Sequence, residues 1–599
     1  MALDRKNIDA KYKWDLSAIY KTEEDFAADY ARAEEAVKAY ACHEETVSRS
    51  AQGLLAALED QAALEGLIEK LWAYAYLGFT VDTSDNKAQA LVARVRSLAV
   101  SAGEATWFLS PSLIRLAPET VEGWFSELPE LKKFSRTVEK AMKERPHTLS
   151  DECEKLLTGM GECLGTYSNM RGIFANSDLT FGKIRGEDKK PVQLEDSSYV
   201  RMLMSPDRRV RQAAFRTLYK TYGQFGNTFA TMLANHIKEA TVMAKVKHFD
   251  SSITASTFRD EVTPEIYDSL IRAVSDGLQP LYDYYELKRR VLGLGKLHLY
   301  DVYTPLIATE SREYSYEEAV EEVLRTVEVY GKEYSDTLRS GLTERGWVDV
   351  YPTKGKRGGA FSAGCPATEP YILLNYNGTY NDMSTLAHEA GHSMHTYFST
   401  KYNEPHNSSY TIFVAEVAST VNELLLAHRK LRESKSRDEK LYVLNQLMET
   451  YKSTLYRQTM FAEFERELHA MTERGEPLTA EVINRVYFTT VKKYFGKKVA
   501  CDPEIAMEWM RIPHFFSSFY VYKYATCISA ASAIVKRIET EGEAYVGKYI
   551  DFLKCGDSKT PLDSLLVAGI DMRSPEVVRG AIEDFAAAVK EFERIYSEP

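Results

Sequence analysis

Within His388-Glu389-Ala390-Gly391-His392 lie two imidazoles and a carboxylate whose spacing suits hydrolytic chemistry. On an α-helix, residues i and i+4 stand one above the other, so His388 and His392 point at one place and can share a single Zn²⁺. Glu389 then adjoins the first ligand and can reach a water at the metal as a general base. A catalytic zinc takes three protein ligands and keeps one position open, so the pattern demands a third partner and predicts a zinc-dependent peptidase.

The next helical segment, 412–431, carries Glu416 and Glu423 seven residues apart, about two turns, so both face the same way. Phe413, Val414, Val417, Val421, Leu424 and Leu425 make that face apolar enough to bury, and a buried carboxylate is costly unless paired or bound to metal. Glu416 is therefore assigned as the third ligand, and Glu423 as the carboxylate that holds an imidazole N–H. Solvated acids on a helix face are the plainer alternative. Asp382 or Ser384 could cap the histidine helix, or Asp382 could orient a ligand histidine. Gly391 sits inside a helix at a cost of about 1 kcal/mol, which predicts a close approach of some other backbone. His395 is either a neighbour of the site or a residue on the helix flank; His406 and His428 read as ordinary loop and helix residues.

The run His388-Glu389-Ala390-Gly391-His392-Ser393-Met394-His395 resembles the HExGHxxH motif of the thimet oligopeptidase superfamily. Phe413-Val414-Ala415-Glu416-Val417-Ala418-Ser419 and Asn422-Glu423 resemble that family's third-ligand helix, and the branch they look most like is bacterial oligopeptidase F. The resemblance spans about residues 110–585. It implies that Glu416 binds zinc, that the zinc lies in a deep channel between two helical halves, and that substrates are short peptides cut at internal bonds.

Peptide hydrolysis passes through a tetrahedral oxyanion that needs hydrogen-bond donors. Pro513 opens a predicted helix in which His514, Tyr520 and Tyr524 follow, with Tyr520 and Tyr524 at i, i+4. A phenol donates at pH 7, and the family carries a His and tyrosines in a matching segment. His514 matches; the choice among Tyr520, Tyr522 and Tyr524 stays open, as does an aromatic core stripe. Upstream, Gly358-Gly359-Ala360-Phe361 precedes a short predicted strand, Tyr371 to Tyr376, bounded by Pro370 and Gly378. The glycines match no phosphate-binding loop. They fit either a plain loop and hairpin or a small sheet near the zinc helix whose edge holds extended peptide; the family resemblance implies the second, with Gly359 and Ala360 as substrate contacts.

The elements that must position these groups are mostly helices. Apolar residues recur at three-to-four spacing over 24–41, 52–76, 85–109 and 151–170, so the fold reads as mainly α. A hairpin is expected near 179–194, and Ser205-Pro206 reads as the start of a long helix. The expected division is an N-terminal helical region, 1–200, and a catalytic region, 201–599. The chain has 599 residues, 44% of them hydrophobic, enough for large cores. A net charge of −12 argues against a nucleic-acid binder and lends nothing to a polybasic membrane contact. The seven cysteines include no CxxC pair, which argues against a thiolate zinc site. No apolar signal core or membrane-length apolar run is present, so the expected address is the cytoplasm. Oligomeric state is not legible.

Overall fold

The computed structural model describes residues 4–161, 163–307 and 312–598. Among the described residues helices dominate, with seven short strands: β1 (Lys183–Arg185), β2 (Pro191–Gln193), β3 (Leu297–His298), β4 (Val348–Asp349), β5 (Phe361–Ala363), β6 (Tyr371–Leu373) and β7 (Val499–Ala500). The chain forms two compact units, and each gathers separate stretches of sequence. The first unit holds Met1–Pro146, Arg312–Leu426 and Ile534–Ile570; the second holds His147–Ser311, Ala427–Ala533 and Asp571–Pro599. The expected division near residue 200 does not coincide with these bounds. Local periodicity reports where an element starts and stops, whereas a unit is defined by which apolar faces share a core.

In the first unit, three N-terminal helices (Glu23–Ala39, Ala51–Val81 and Asn86–Thr106) correspond to predicted segments. Thr22 and Asp25 form a capping box on the first, and Ser50 caps the second through the Gly53 N–H. Their apolar faces enclose Trp14, Leu71 and Leu98 together with Tyr371 and Leu373 of β6. The N-terminal helices thus cover the sheet that adjoins the histidine helix.

That sheet has the order β4-β6-β5, with β4 and β6 parallel and β5 antiparallel to β6. Side chains alternate across a strand, so Phe361, Ala363, Tyr371 and Leu373 share one face, which meets the N-terminal helices. Ser362 and Ile372, paired in register, take the opposite face. There Ser362 Oγ lies 2.8 Å from Ser393 Oγ on the helix Tyr380–Tyr402. The predicted small sheet is therefore packed directly on the histidine helix. β5 is an edge strand.

The second unit is also helical. It includes Arg208–Gln224, Gly226–Val246, Arg437–Tyr451, Arg457–Glu473, Ala480–Phe495 and Glu576–Ser597, with the antiparallel β1–β2 hairpin and a parallel β3–β7 pair. The hairpin lies where the sequence predicts it. The long helix after it starts at Arg208 rather than at Pro206, because Asp207 supplies the cap by accepting the Arg209 N–H. No helix of the described residues is long and apolar enough to cross a membrane.

Candidate active site

The histidine helix runs from Tyr380 to Tyr402 and begins with a capping box between Thr379 and Asp382. Asp382 Oδ2 accepts the Thr379 N–H at 2.9 Å, the Thr379 hydroxyl at 2.7 Å and the Asn377 N–H at 3.2 Å. This corrects the sequence reading: Thr379 is the N-cap, and Asp382 serves as its partner rather than holding an imidazole. Its carboxylate stands at the helix start, six residues ahead of His388, and is occupied by local donors.

The second helix, Ile412–Glu433, carries Glu416 and Glu423. His388 Nδ1 lies 2.5 Å from Glu423 Oε1. A carboxylate only accepts, so Nδ1 carries the hydrogen, which leaves Nε2 as the ring nitrogen that can hold a metal. That Nε2 is 3.2 Å from His392 Nε2 and 3.2 Å from Glu416 Oε2, and His392 Nε2 is also 3.2 Å from Glu416 Oε2. Three donor atoms thus form an equilateral triangle. Tetrahedral zinc with bonds near 2.0 Å separates its ligands by about 3.3 Å, so this triangle is the size of one face of its coordination shell. Three ligand atoms converging at this range form a site that could hold one metal ion. His388, His392 and Glu416 are the one such group among the described residues. Ser419 Oγ donates to Glu416 Oε2 at 3.0 Å and helps to aim it.

Glu389 is 5% exposed, and its buried Oε2 has no hydrogen-bond partner. Burial raises its pKa, against the opposing pull of His388 and His392. An unpartnered buried carboxyl oxygen beside the donor triangle is free to take a proton from a water or a substrate.

Two contacts hold the two helices in register. A methyl group on Gly391 would stand 2.5 Å from the Ala418 carbonyl oxygen and 2.6 Å from Ser419 Cα, so glycine permits the approach. Asn422, fully buried, donates from Nδ2 to the Ala387 carbonyl at 3.1 Å and accepts the Tyr330 hydroxyl at Oδ1 at 3.1 Å. Sequence reasoning assigned Asn422 no role. The signal was an amide within an apolar helical stretch, where a polar side chain must find partners.

His395 is buried, its ring stacked 3.8 Å from that of Tyr410, and burial drives its pKa down to about 3. It stays neutral, buried on the same helix as His388 and His392. Gly359 and Ala360 line a cavity of about 210 Å³ with Asn375, Asn381, Asp382 and Thr385, the last three on the opening turns of the histidine helix. Gly359 has φ +83°, and its carbonyl accepts Asn375 Nδ2 at 2.7 Å.

His514, Tyr520 and Tyr524 belong to the second unit. The predicted helix at Pro513 is a short 3-10 turn ending at Phe516, and the α-helix begins only at Tyr522. The three rings nevertheless cluster, with centroids 6.2 Å (His514–Tyr520), 6.1 Å (His514–Tyr524) and 5.5 Å (Tyr520–Tyr524) apart. All three keep partial exposure, whereas Tyr522 is buried and donates to Asp260 Oδ2 at 3.1 Å. Tyr522 is thereby separated from the other two tyrosines. Burial and the nearby Arg171 charge lower the His514 pKa.

A helical protein with this donor triangle and a buried carboxyl beside it has the makings of a metallopeptidase. Comparison with known proteins gives the particular group: the chain belongs to peptidase family M3, whose profile matches residues 201–583. A second profile, Oligopeptidase F, matches residues 113–181. The chain is 39% identical to Oligopeptidase PepF of Bacillus subtilis (strain 168), over 99% of this chain and 88% of that one. It is 35% identical to an Oligoendopeptidase F homolog of Lactococcus lactis subsp. lactis, over 99% of both. The crystal structure of oligoendopeptidase-F from Enterococcus faecium superposes with TM-score 0.75 at 34% identity, covering 96% of this chain and 99% of that one. A Chlamydophila abortus crystal structure gives TM-score 0.91 at 32% identity, covering 99% and 100%.

Proposed function

We propose that the chain is a zinc-dependent oligopeptidase that hydrolyses internal bonds of short peptides. The observation that carries this reading is the 3.2 Å triangle of His388, His392 and Glu416 beside the unpartnered carboxyl oxygen of Glu389. His388, His392 and Glu416 would hold the ion, and Glu423 keeps His388 in the tautomer that binds it. Zinc in that position supplies Lewis acidity toward the scissile carbonyl and lowers the pKa of water to about 7. Glu389 takes the proton of the attacking water and passes it to the leaving amine. His514, Tyr520 and Tyr524 donate hydrogen bonds to the developing oxyanion. Main-chain groups at Gly359, Ala360 and the edge strand β5 align the extended substrate. The printed names of the relatives, oligopeptidase and oligoendopeptidase, support short substrates and internal cleavage.

The test is an internally quenched peptide of about ten residues, blocked at both ends, assayed before and after chelation and zinc return. Internal cleavage that vanishes with the metal and returns with it is expected. A peptide cut only when one end is unblocked would indicate an exopeptidase, and cleavage indifferent to chelation would overturn the zinc mechanism.

A further inference from the structure

The aromatic trio owes its geometry to a kink. In one continuous helix, Tyr520 would lie six residues from His514, about 120° away around the axis, so the two would not meet. They meet because Phe519 adopts φ +57°, a left-handed conformation that is costly for a bulky residue. Such a residue persists only where its surroundings hold it.

The holding group comes from the helix Arg457–Glu473. Glu465, 3% exposed, accepts the Phe519 backbone N–H at Oε1 over 2.8 Å. Its Oε2 lies 3.4 Å from the Tyr267 hydroxyl, which donates to the Ala462 carbonyl at 2.8 Å. The buried Phe519 ring rests on His469 at 4.3 Å and Tyr267 at 5.5 Å. On either side the chain is anchored independently. The Ser518 carbonyl accepts Ser256 Oγ at 3.1 Å, and Lys523 Nζ pairs with Asp260 Oδ2 at 2.8 Å. Glu465 therefore acts on the one residue whose backbone turns the chain.

We propose that Glu465 is a positioning residue, whose carboxyl holds Phe519 in the left-handed conformation and so keeps Tyr520 and Tyr524 against His514. The inference rests on the reading of these three as oxyanion donors. Without the acceptor, a buried N–H loses its partner, Phe519 relaxes toward ordinary φ, and Tyr520 moves with it. Gln at this position keeps the acceptor oxygen and the shape.

The experiment compares Glu465→Met and Glu465→Gln in the wild-type chain and in a Tyr520→Phe/Tyr524→Phe background, with melting temperature and zinc content followed throughout. Glu465→Asp, too short to reach Phe519, replaces the Met variant if that does not fold. The Met or Asp variant is expected to lower kcat about 30-fold, with KM within about threefold and zinc unchanged. In the tyrosine-less background the same change should cost less than about threefold, because the groups it positions are gone. The Gln variant should stay within about threefold of wild type. An unchanged kcat in the Met or Asp variant, or the full loss persisting without the tyrosines, would overturn the proposal. So would a Gln variant as impaired as Met. A wild-type chain that cleaves no peptide, or a Tyr520→Phe/Tyr524→Phe chain with undiminished kcat, would instead refute the underlying functional reading.

Discussion

No side chain fits between Gly391 and Ala418: a methyl group at the first would stand 2.5 Å from the carbonyl oxygen of the second. Gly391→Ala must therefore push apart the helices that bring Glu416 to His388 and His392. The expected result is a destabilisation of about 1–3 kcal/mol, with weakened zinc retention. Calorimetry and metal analysis after dialysis check both; a variant with wild-type zinc affinity would show that the helix spacing is not needed for the site.

Glu389→Gln removes the carboxyl proposed as the base and leaves the donor triangle intact. Zinc content should be unchanged while kcat falls by at least about 10³-fold, since general-base assistance and the charge beside the reacting water are both lost. Near-normal hydrolysis would refute the role of Glu389.

Glu423 sets the tautomer of His388 across 2.5 Å. Its replacement by Ala should weaken zinc binding by about 10–100-fold while the fold survives. Competition with a chelator of known affinity measures this, and an unchanged zinc Kd would mean that His388 needs no partner.

The lowered pKa of His514, caused by burial and then by Arg171, keeps its ring neutral at pH 7. In the proposed reaction it therefore acts as a neutral hydrogen-bond donor to the oxyanion. His514→Ala should reduce kcat about 10²-fold and leave the pH profile of kcat/KM unshifted between pH 6.5 and about 8.5. A limb that disappears with His514 in that range would assign it a proton-transfer role instead.

Burial pushes Glu465 from the ordinary 4.5 up to about 8. Between those values the folded chain keeps a proton that the unfolded chain releases, so this group's contribution to stability falls as pH rises from about 4.5 to about 8. Gln does not titrate. The stability of Glu465→Gln relative to wild type should therefore grow by up to about 4 kcal/mol across that window. Denaturant titrations at pH 5 and pH 8 measure the difference, and a constant offset would show that Glu465 ionises normally.

Particular residues separate what could be read from sequence and what could not. The histidine pair was legible because four residues is one helical turn; Glu416 and Glu423 stood out as two acids on one apolar face, and the structure brings the first to both histidines and the second to His388. Asp382 was ambiguous because short polar side chains near a helix start serve caps and distant partners equally well; Thr379, one residue before the helix, decides the matter. Tyr520 and Tyr524 were named on a helical spacing that the structure replaces with a kink, and they cluster for a different reason. Glu465 carried no sequence signal, since its partner Phe519 lies 54 residues away.

By itself the sequence determined that His388 and His392 share a helix face with Glu389 between them, and which helices carry them and Glu416, because the angular period of a helix is a local property of the chain. The tertiary structure alone decided that the first hundred residues share a core with the strand next to the histidine helix, that Asn422 and Gly391 bring two helices together, and that Phe519 turns the tyrosines toward His514. Those relations depend on which surfaces exclude water together and on which buried polar groups find partners, and both are settled between residues far apart in the chain.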